Sequence, residues 1–238
     1  MPSQPAPQPP DGQAPDGQVT AICLVHQILP DPGDDPALTA IDKRAVTGTV
    51  EVGLLGLVGD TQCDPEHHGG RYQAVYAYAD TDAQRWAAEL GREIPPGFFG
   101  ENLRLKGIDV TGAEIGERWR IGDEDGVLVE VTYHRTPCVT FARRMGVEHW
   151  AKRFTEGGAP GAYLRVLTPG SIVTGDPVTV VRRPGHGVTI GDTSGIQDPR
   201  RMADLLAAAD AGTVELAPKL REVATRVAGR TDPARGPA

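Results

Sequence analysis

The sequence is short of aromatic residues, of cysteine and of long apolar runs. Aromatic residues make up 5% of its 238 residues, and the three cysteines are Cys23, Cys63 and Cys138. An odd set of cysteines without paired spacing argues against a disulfide framework, and no apolar signal segment follows the N-terminus. No apolar run approaches the ~20 residues that a membrane-spanning helix needs. These absences predict a cytoplasmic protein with reduced thiols and no membrane partner.

Several common functional motifs are missing as well. The sequence has no G-x-G-x-x-G or P-loop for nucleotides, no G-x-S-x-G for a hydrolase and no H-E-x-x-H for a zinc protease. It lacks a four-cysteine set for an iron–sulfur cluster, so any redox reaction would need a separate electron-transfer protein. The formal net charge of -8 repels a phosphate backbone, which argues against nucleic acid as a partner.

Glycine and proline are abundant, with 30 and 21 residues, and they interrupt many short apolar runs. Frequent glycine and proline between short apolar runs are typical of short strands joined by tight turns, so we expect a mainly β fold with some helix. The strongest strand signal is the alternation over Val127 to Tyr133. A capping box formed by Thr81 and Gln84 predicts a helix that ends at Gly91.

Composition divides the chain into four segments. Residues 1–18 contain six prolines and are predicted to be a disordered leader. Residues 19–187 carry the predicted β-rich domain. Residues 188–230 change to helical periodicity, with Asp198 as an N-cap before Pro199 and a further helix from about Pro218. Residues 231–238 are predicted to be a loose tail.

Cys138 is the sharpest candidate for chemistry. It follows the predicted strand directly, after His134, Arg135 and Pro137. A nearby cation lowers the pKa of a thiol, and the thiolate is the form that attacks or binds soft metals. The proline would hold the loop rigid. On these residues alone, a buried loop cysteine that acts as a small hydrophobic residue is equally well supported.

Two further segments bring polar residues together. The stretch DTQCDPEHHGG contains Asp60, Cys63, His67 and His68, but a zinc site of Cys63 with these histidines lacks the second paired motif that makes such a prediction dependable. The stretch GFFGENL contains Asn102, whose amide can both donate and accept hydrogen bonds, although Asn and Gly also form ordinary turns. If the fold gathers some of the scattered basic residues, an anionic ligand could bind there. Those residues are Lys43, Arg44, Arg135, Arg143, Arg144 and Arg165.

Six segments in order resemble the MOSC family, the domain shared with the C-terminal part of molybdenum cofactor sulfurases. They are IDKRAVTGTV, GLVGDTQCDPEHHGGRYQAVYAY, FGENL, IGERWRIG, VEVTYHRTPC and GAYLRVLTPGSIVTGDPVTVV. The resemblance runs from about Ala40 to Arg183. Residues from about 190 to 229 are similar to the three-helix appendix of the YiiM-like branch of that family.

The resemblance implies a closed or partly open β-barrel similar to the β-barrel domain of pyruvate kinase, with a small C-terminal helical appendix. It also implies that the chain binds molybdenum cofactor (molybdopterin), with no iron–sulfur cluster of its own. Cys138 would be both the metal ligand and the catalytic residue. By similarity, the further cofactor contacts would be Lys43, His68, Asn102, Arg135 and Arg165.

The function implied by the resemblance is that of an oxidoreductase for N-hydroxylated compounds such as hydroxylaminopurines, with electrons from a separate protein. The family is also associated with pyridoxal phosphate binding. The resemblance is compatible with a homodimer and does not decide the oligomeric state. The alternative is a sulfur carrier or a cofactor delivery protein, in which Cys138 carries a persulfide or passes the cofactor on without turnover. Another interpretation is a non-catalytic module whose helical appendix docks a partner.

Overall fold

The computed structural model describes residues 16–31, 38–63 and 69–230. The strands of these residues are β1 (Gly17–Pro30), β2 (Leu38–Val46), β3 (Val50–Gly53), β4 (Gly56–Leu57), β5 (Val75–Ala79), β6 (Leu103–Lys106), β7 (Arg118–Ile121), β8 (Val127–His134), β9 (Ala162–Thr168), β10 (Gly170–Ile172) and β11 (Pro177–Arg182). The helices are α1 (Asp80–Leu90), α2 (Val139–Met145), α3 (Trp150–Glu156), α4 (Ile190–Thr193), α5 (Pro199–Asp210) and α6 (Pro218–Ala228).

Seven strands close into a β-barrel, which confirms the predicted fold class. Their order is β11-β7-β8-β9-β5-β6-β1, and pairing of β1 with β11 completes the ring. Closure leaves no free sheet edge within the ring. The pairing of β5 with β6 is parallel, whereas the other pairings in the ring are antiparallel. Strand β2 pairs with β1 outside the ring, and β3, β4 and β10 form a small second sheet.

Strand β8 is covered on both faces. Its alternating apolar residues Val127, Val129 and Val131 belong to the barrel core, as the sequence pattern predicts. The intervening Glu130 and Thr132 are also buried, although alternation is typical of a half-exposed strand. Glu130 is paired with an arginine, and the Thr132 hydroxyl lies within hydrogen-bond distance of two backbone carbonyls, so the buried polar groups of the second face have polar or charged partners.

The few aromatic residues are concentrated in a second core cluster outside the barrel. There Trp86 of α1 lies 4.8 Å from Trp150 of α3, measured between ring centroids. Phe141 of α2 lies 5.0 Å from Phe154 of α3. Edge-to-face contacts of this kind stabilise a cluster beyond its buried area. They hold α2 and α3 against the barrel, and α2 begins directly after Cys138.

The N-cap of helix α1 lies two residues earlier than the sequence predicts, and the predicted capping box is absent. Its N-cap is Ala79, which makes no side-chain hydrogen bond, so the prediction of a Thr81–Gln84 capping box was wrong. Asp80 and Asp82 lie in the first turn instead, where negative charge interacts favourably with the helix dipole. The predicted C-terminus is confirmed, because Gly91 takes the left-handed conformation with φ of 62°.

The C-terminal appendix, α4 to α6, shares one core with the barrel. Its Asp198 cap and the proline after it are formed as predicted. Leu205 and Leu220 are fully buried, and Leu206 and Val223 pack against the same core. These leucines and this valine are therefore not an exposed docking face. A non-catalytic docking module would require such exposed apolar residues, so this hypothesis loses its support.

The predicted division of the chain into leader, barrel domain, appendix and tail stays a prediction. Strand β1 begins at Gly17, inside the predicted leader, whereas residues 1–15 and the predicted tail at 231–238 lie outside the described residues. Among the helices of the described residues, none has the length and hydropathy to cross a bilayer.

His134, the last residue of β8, joins the barrel to α4. Its Nδ1 lies 3.0 Å from the Thr193 hydroxyl oxygen, and that hydroxyl donates to the Ile190 carbonyl at 2.8 Å. The hydroxyl therefore accepts from the imidazole, which requires an Nδ1–H. Burial, together with the positive charge of Lys219, lowers the pKa of His134 to about 4.

We expect His134 to make the free energy of unfolding pH-dependent. An unfolded histidine binds a proton near pH 6.5, whereas the folded one stays neutral down to about pH 4. The contribution of His134 to the free energy of unfolding is therefore fully present above about pH 6.5 and is lost as the pH falls toward about 4. Urea unfolding at about pH 7 and about pH 4.5 should show a smaller loss for His134→Asn than for the wild type.

The exposed His149 provides the control, because His149→Asn should lose as much stability as the wild type. Equal losses in the wild type and His134→Asn would contradict the prediction.

Candidate active site

A cavity of about 630 Å³ lies beside the loop that follows β8. This volume is in the range of small-molecule and cofactor sites. Its wall brings together four of the predicted site residues, Lys43, Asn102, Arg135 and Cys138, from distant parts of the chain. Rings of two tyrosines on neighbouring strands also line it.

Cys138 occupies the N-cap position of α2. Its backbone is extended, and its carbonyl accepts the Ala142 N–H at 3.0 Å, the first turn of the helix. Phe141 and Met145 of α2 are fully buried in the aromatic cluster. The packing of α2 therefore fixes the backbone of Cys138, while its side chain stays partly exposed at the cavity.

Arg135 is a buried cation at the same wall. It is 6% exposed, and its Nη1 donates to the Phe99 carbonyl at 2.6 Å. The guanidinium lies 4.0 Å from the centroid of the Phe141 ring. Its Nε makes no hydrogen bond, and it forms no ion pair with a carboxylate of the described residues. Since a buried charge without a counter-ion is costly, this arrangement favours an anionic ligand in the cavity.

Lys43 is held by the carboxylate of Asp60, which was not among the predicted cofactor contacts. Asp60 Oδ2 lies 2.5 Å from Lys43 Nζ and accepts from Asn102 Nδ2 at 2.8 Å. Asp60 Oδ1 accepts the Val25 N–H at 2.9 Å. The carboxylate side chain is only 7% exposed, so the ion pair is screened little by water. Asp60 thus connects β1, β2 and the turn before β6.

The amide group of the Asn102 side chain forms all of its observed hydrogen bonds with other groups of the protein. Its Nδ2 donates to Asp60 and, at 3.3 Å, to the Cys23 carbonyl, while its Oδ1 accepts the Tyr76 N–H at 3.1 Å. An amide has two N–H donors, and both are used here. Asn102 lines the cavity, but its visible role is to orient Asp60 and not to offer donors to a ligand.

The glycine-rich turn around Asn102 forms the support beneath Lys43. Gly97 has φ of 84°, and a Cβ there would lie 2.5 Å from the Lys43 carbonyl oxygen. The buried Glu101 carboxylate accepts the N–H groups of Gly97 and Phe99 at 2.8 and 3.0 Å. Gly97 is therefore required both for its backbone conformation and for its close approach to β2.

Arg165 is not among the residues that line the cavity. Its guanidinium pairs with Glu130 at 2.6 Å and with Glu215, from the appendix, at 2.5 Å. Hydrogen bonds from Tyr72 and Arg165 lower the pKa of Glu215. Tyr163 of the same strand does line the cavity, and two residues along a strand advance roughly 7 Å. Arg165 therefore joins barrel to appendix, and the structure gives no support to its predicted cofactor contact.

The remaining predicted contact, His68, lies outside the described residues. Two other lining residues were not predicted as contacts. Gln73 has a buried Oε1 without a hydrogen-bond partner, and Cys63 brings a second thiol to the cavity. Burial raises the pKa of the Cys63 thiol. No sequence signal marks Gln73, which is one of several ordinary residues around a short 3₁₀ turn.

Comparison with known proteins gives consistent matches. Residues 64–179 match the family described as "MOSC domain". Over 152 residues the chain is 31% identical to "Uncharacterized protein YflK" of Bacillus subtilis (strain 168), a stretch that covers 64% of this chain and 67% of that protein. Over 162 residues it is 28% identical to "Protein YiiM" of Escherichia coli (strain K12), covering 66% of this chain and 70% of that one.

A longer fungal protein and a crystal structure are also similar. Over 149 residues the chain is 32% identical to a protein named "Reductase" from Gibberella moniliformis (strain M3125 / FGSC 7600), covering 61% of this chain and 26% of that protein. The crystal structure of YiiM from Geobacillus stearothermophilus has the same fold, with a TM-score of 0.69 at 24% identity. That match covers 89% of this chain and 98% of the other.

We expect Asp60→Asn to destabilise the protein by about 3 kcal/mol, because it removes one partner of a buried ion pair. Both carboxylate oxygens of Asp60 accept hydrogen bonds from donors. An asparagine would replace one of these oxygens by an NH₂ group, so in either orientation of the amide two donors would face each other. Urea unfolding at neutral pH measures the change. The matched control is Asp204→Asn at an exposed site of α5, which should change stability by less than about 0.5 kcal/mol. A similar small change for Asp60→Asn would show that the carboxylate does not hold this wall together.

Proposed function

The chain belongs to the MOSC domain family, in its YiiM-like branch, and we propose that it is an oxidoreductase that holds molybdenum cofactor through Cys138 and reduces N-hydroxylated compounds. One observation carries the proposal. Cys138 lines the same cavity as Arg135, whose guanidinium pairs with no carboxylate of the described residues. A soft sulfur donor and a site for negative charge are what a metal held on an anionic organic cofactor requires.

The cavity fits such a group in three respects. Its volume of about 630 Å³ accommodates a cofactor of this size class. Arg135 can neutralise an anionic part of the ligand, and the Gln73 Oε1 can accept a hydrogen bond from it. Cys138 can supply a thiolate from a backbone that α2 holds in place. When bound, the cofactor would supply a metal centre that exchanges two electrons with the substrate.

The other lining residues fit the needs of the reduction. Conversion of an N–OH group to N–H consumes two protons with the two electrons and releases water, so proton donors must reach the substrate. Lys43 uses one ammonium N–H on Asp60, so its other N–H groups can donate hydrogen bonds into the cavity, and the ammonium can transfer one of the two protons; the second must come from water. The rings of Tyr76 and Tyr163, whose centroids are 5.3 Å apart, form an apolar wall for a planar substrate and exclude water.

The similarity to a protein named "Reductase" favours redox chemistry over simple carriage. That similarity reaches only 26% of the longer protein, so the remainder of that protein has no counterpart in the matched segment. The alternative is a carrier that delivers sulfur or cofactor to another enzyme. It would use the same thiol and the same cavity, and turnover distinguishes it from a reductase.

We expect Cys138→Ser to reduce bound molybdenum roughly tenfold or more, because a serine hydroxyl is a poorer donor than a thiolate for a soft centre. The protein should be made in a host that synthesises the cofactor, and molybdenum and pterin contents should be measured per chain. Reduction of hydroxylaminopurine by reduced methyl viologen should fall in parallel. The unfolding midpoint of the metal-free variant should match that of the metal-free wild type.

Cys23→Ser is the matched control, because Cys23 is buried in the core and does not line the cavity. It should keep its molybdenum. Equal metal content in the wild type and Cys138→Ser would contradict ligation by Cys138. Full loading of the wild type without turnover, together with stoichiometric release of cofactor to an apo-enzyme, would favour the carrier.

A further inference from the structure

Three tyrosines on two neighbouring barrel strands differ in what their hydroxyls contact. Tyr76 and Tyr78 of β5 donate to backbone carbonyls at 2.8 and 3.0 Å. Tyr163 of β9 pairs with Tyr76 across the sheet, but its hydroxyl forms no hydrogen bond with any residue of the described ranges. The hydroxyl oxygen is not buried without a partner, so it is accessible from the cavity that Tyr163 lines. A phenol hydroxyl both donates and accepts, and here both functions are available to a ligand.

Tyr163 lies beside the strand end from which the other site residues continue. Strand β9 pairs with β8 up to the last residue of β8, and Arg135 and Cys138 follow in the chain. The ring centroids of Tyr163 and Tyr76 are 5.3 Å apart, and the Arg135 guanidinium lies 5.3 Å from the same Tyr76 ring. Burial raises the pKa of the Tyr163 phenol and the charge of Arg135 lowers it, so the guanidinium acts on the hydroxyl at short range. Tyr163 therefore lies at the end of the cavity where the proposed reaction takes place.

The backbone of Tyr163 is held firmly. Strand β9 is paired on both sides, with β5 and with β8, and the Tyr163 carbonyl accepts from the Thr132 hydroxyl at 2.9 Å. The ring also packs against the ring of Tyr76. A hydroxyl presented by such a rigid wall loses little freedom when a ligand binds, so more of the hydrogen-bond energy appears as affinity.

We propose that Tyr163 is a specificity-determining residue, whose hydroxyl binds the N–OH group of the substrate and distinguishes it from an N–H group. The N–OH substrate is that of the proposed function, on which this role of Tyr163 rests. A phenol can donate to the oxygen of N–OH and accept its proton in a hydrogen bond, whereas Arg135 and Lys43 can only donate. The product of the reduction carries N–H and offers no oxygen to the hydroxyl. It should therefore bind less tightly than the substrate and leave the cavity more readily.

The test compares two ligands that differ by one oxygen atom, 6-hydroxylaminopurine and adenine. Their dissociation constants should be measured by equilibrium dialysis against the full chain, purified from a host that makes the cofactor. Reductant is left out, so the measurement requires no turnover. The wild type should bind 6-hydroxylaminopurine roughly tenfold more tightly than adenine. Tyr163→Phe keeps the ring and removes the hydroxyl, so it should bind the two ligands about equally well.

Tyr78→Phe is the matched control, because the Tyr78 hydroxyl contacts a backbone carbonyl and Tyr78 does not line the cavity. It should keep the preference for 6-hydroxylaminopurine and lower the unfolding midpoint by roughly 2–4 °C, because it leaves a carbonyl without its donor. Tyr163→Phe should keep the wild-type midpoint, since its hydroxyl has no partner in the described part of the chain. Its molybdenum content should also equal that of the wild type.

Three results would overturn this role of Tyr163. The first is a wild type that does not prefer 6-hydroxylaminopurine over adenine. The second is a Tyr163→Phe variant that keeps the preference. The third is loss of molybdenum from Tyr163→Phe, which would make the hydroxyl a contact of the cofactor. A wild type that shows the Tyr163-dependent preference but has no reductase activity would support the role of Tyr163 and contradict the proposed function.

Discussion

Compensation of buried positive charge is the constraint on which this structure depends. Four long cationic side chains are buried among the described residues, and three of them meet a carboxylate. Lys43 meets Asp60, Arg104 meets Glu101, and Arg165 meets Glu130 and Glu215. Taking a charge out of water is costly unless it is paired, so each pair also fixes the elements that supply its members.

The fourth cation, Arg135, follows a different rule. Its Nη1 contacts a carbonyl and its guanidinium faces aromatic rings, but no carboxylate of the described residues compensates it. It lies at the cavity, three residues before Cys138, and aromatic contacts offset only part of its desolvation. The charge of Arg135 therefore lies at the cavity, where an anionic ligand can bind. The cations that pair with carboxylates connect the barrel, β2 and the appendix.

The position of Cys138 depends on two supports that come from opposite directions. The aromatic cluster holds α2 from the C-terminal side, and the buried His134 connects the end of β8 to the appendix from the N-terminal side. The intervening loop of four residues is thus fixed at both ends. This arrangement gives the appendix a role in holding the site, although no residue of the appendix lines the cavity.

The sequence by itself determined the elements with local signals. Alternation in β8, the end of α1 at Gly91 and the Asp198 cap of α5 depend on neighbours within one turn or strand, and all are present. The ordered family segments likewise identified Cys138, Lys43, Asn102 and Arg135, which do meet at one cavity.

Only the tertiary structure decided what those residues do. Asp60 gains its role from donors on three separate elements, and Asn102 is turned toward Asp60 by them. Arg165 does not line the cavity and instead pairs with Glu130 and with Glu215 of the appendix. Such roles arise from charges brought together across long separations in the chain, and no local pattern encodes those meetings.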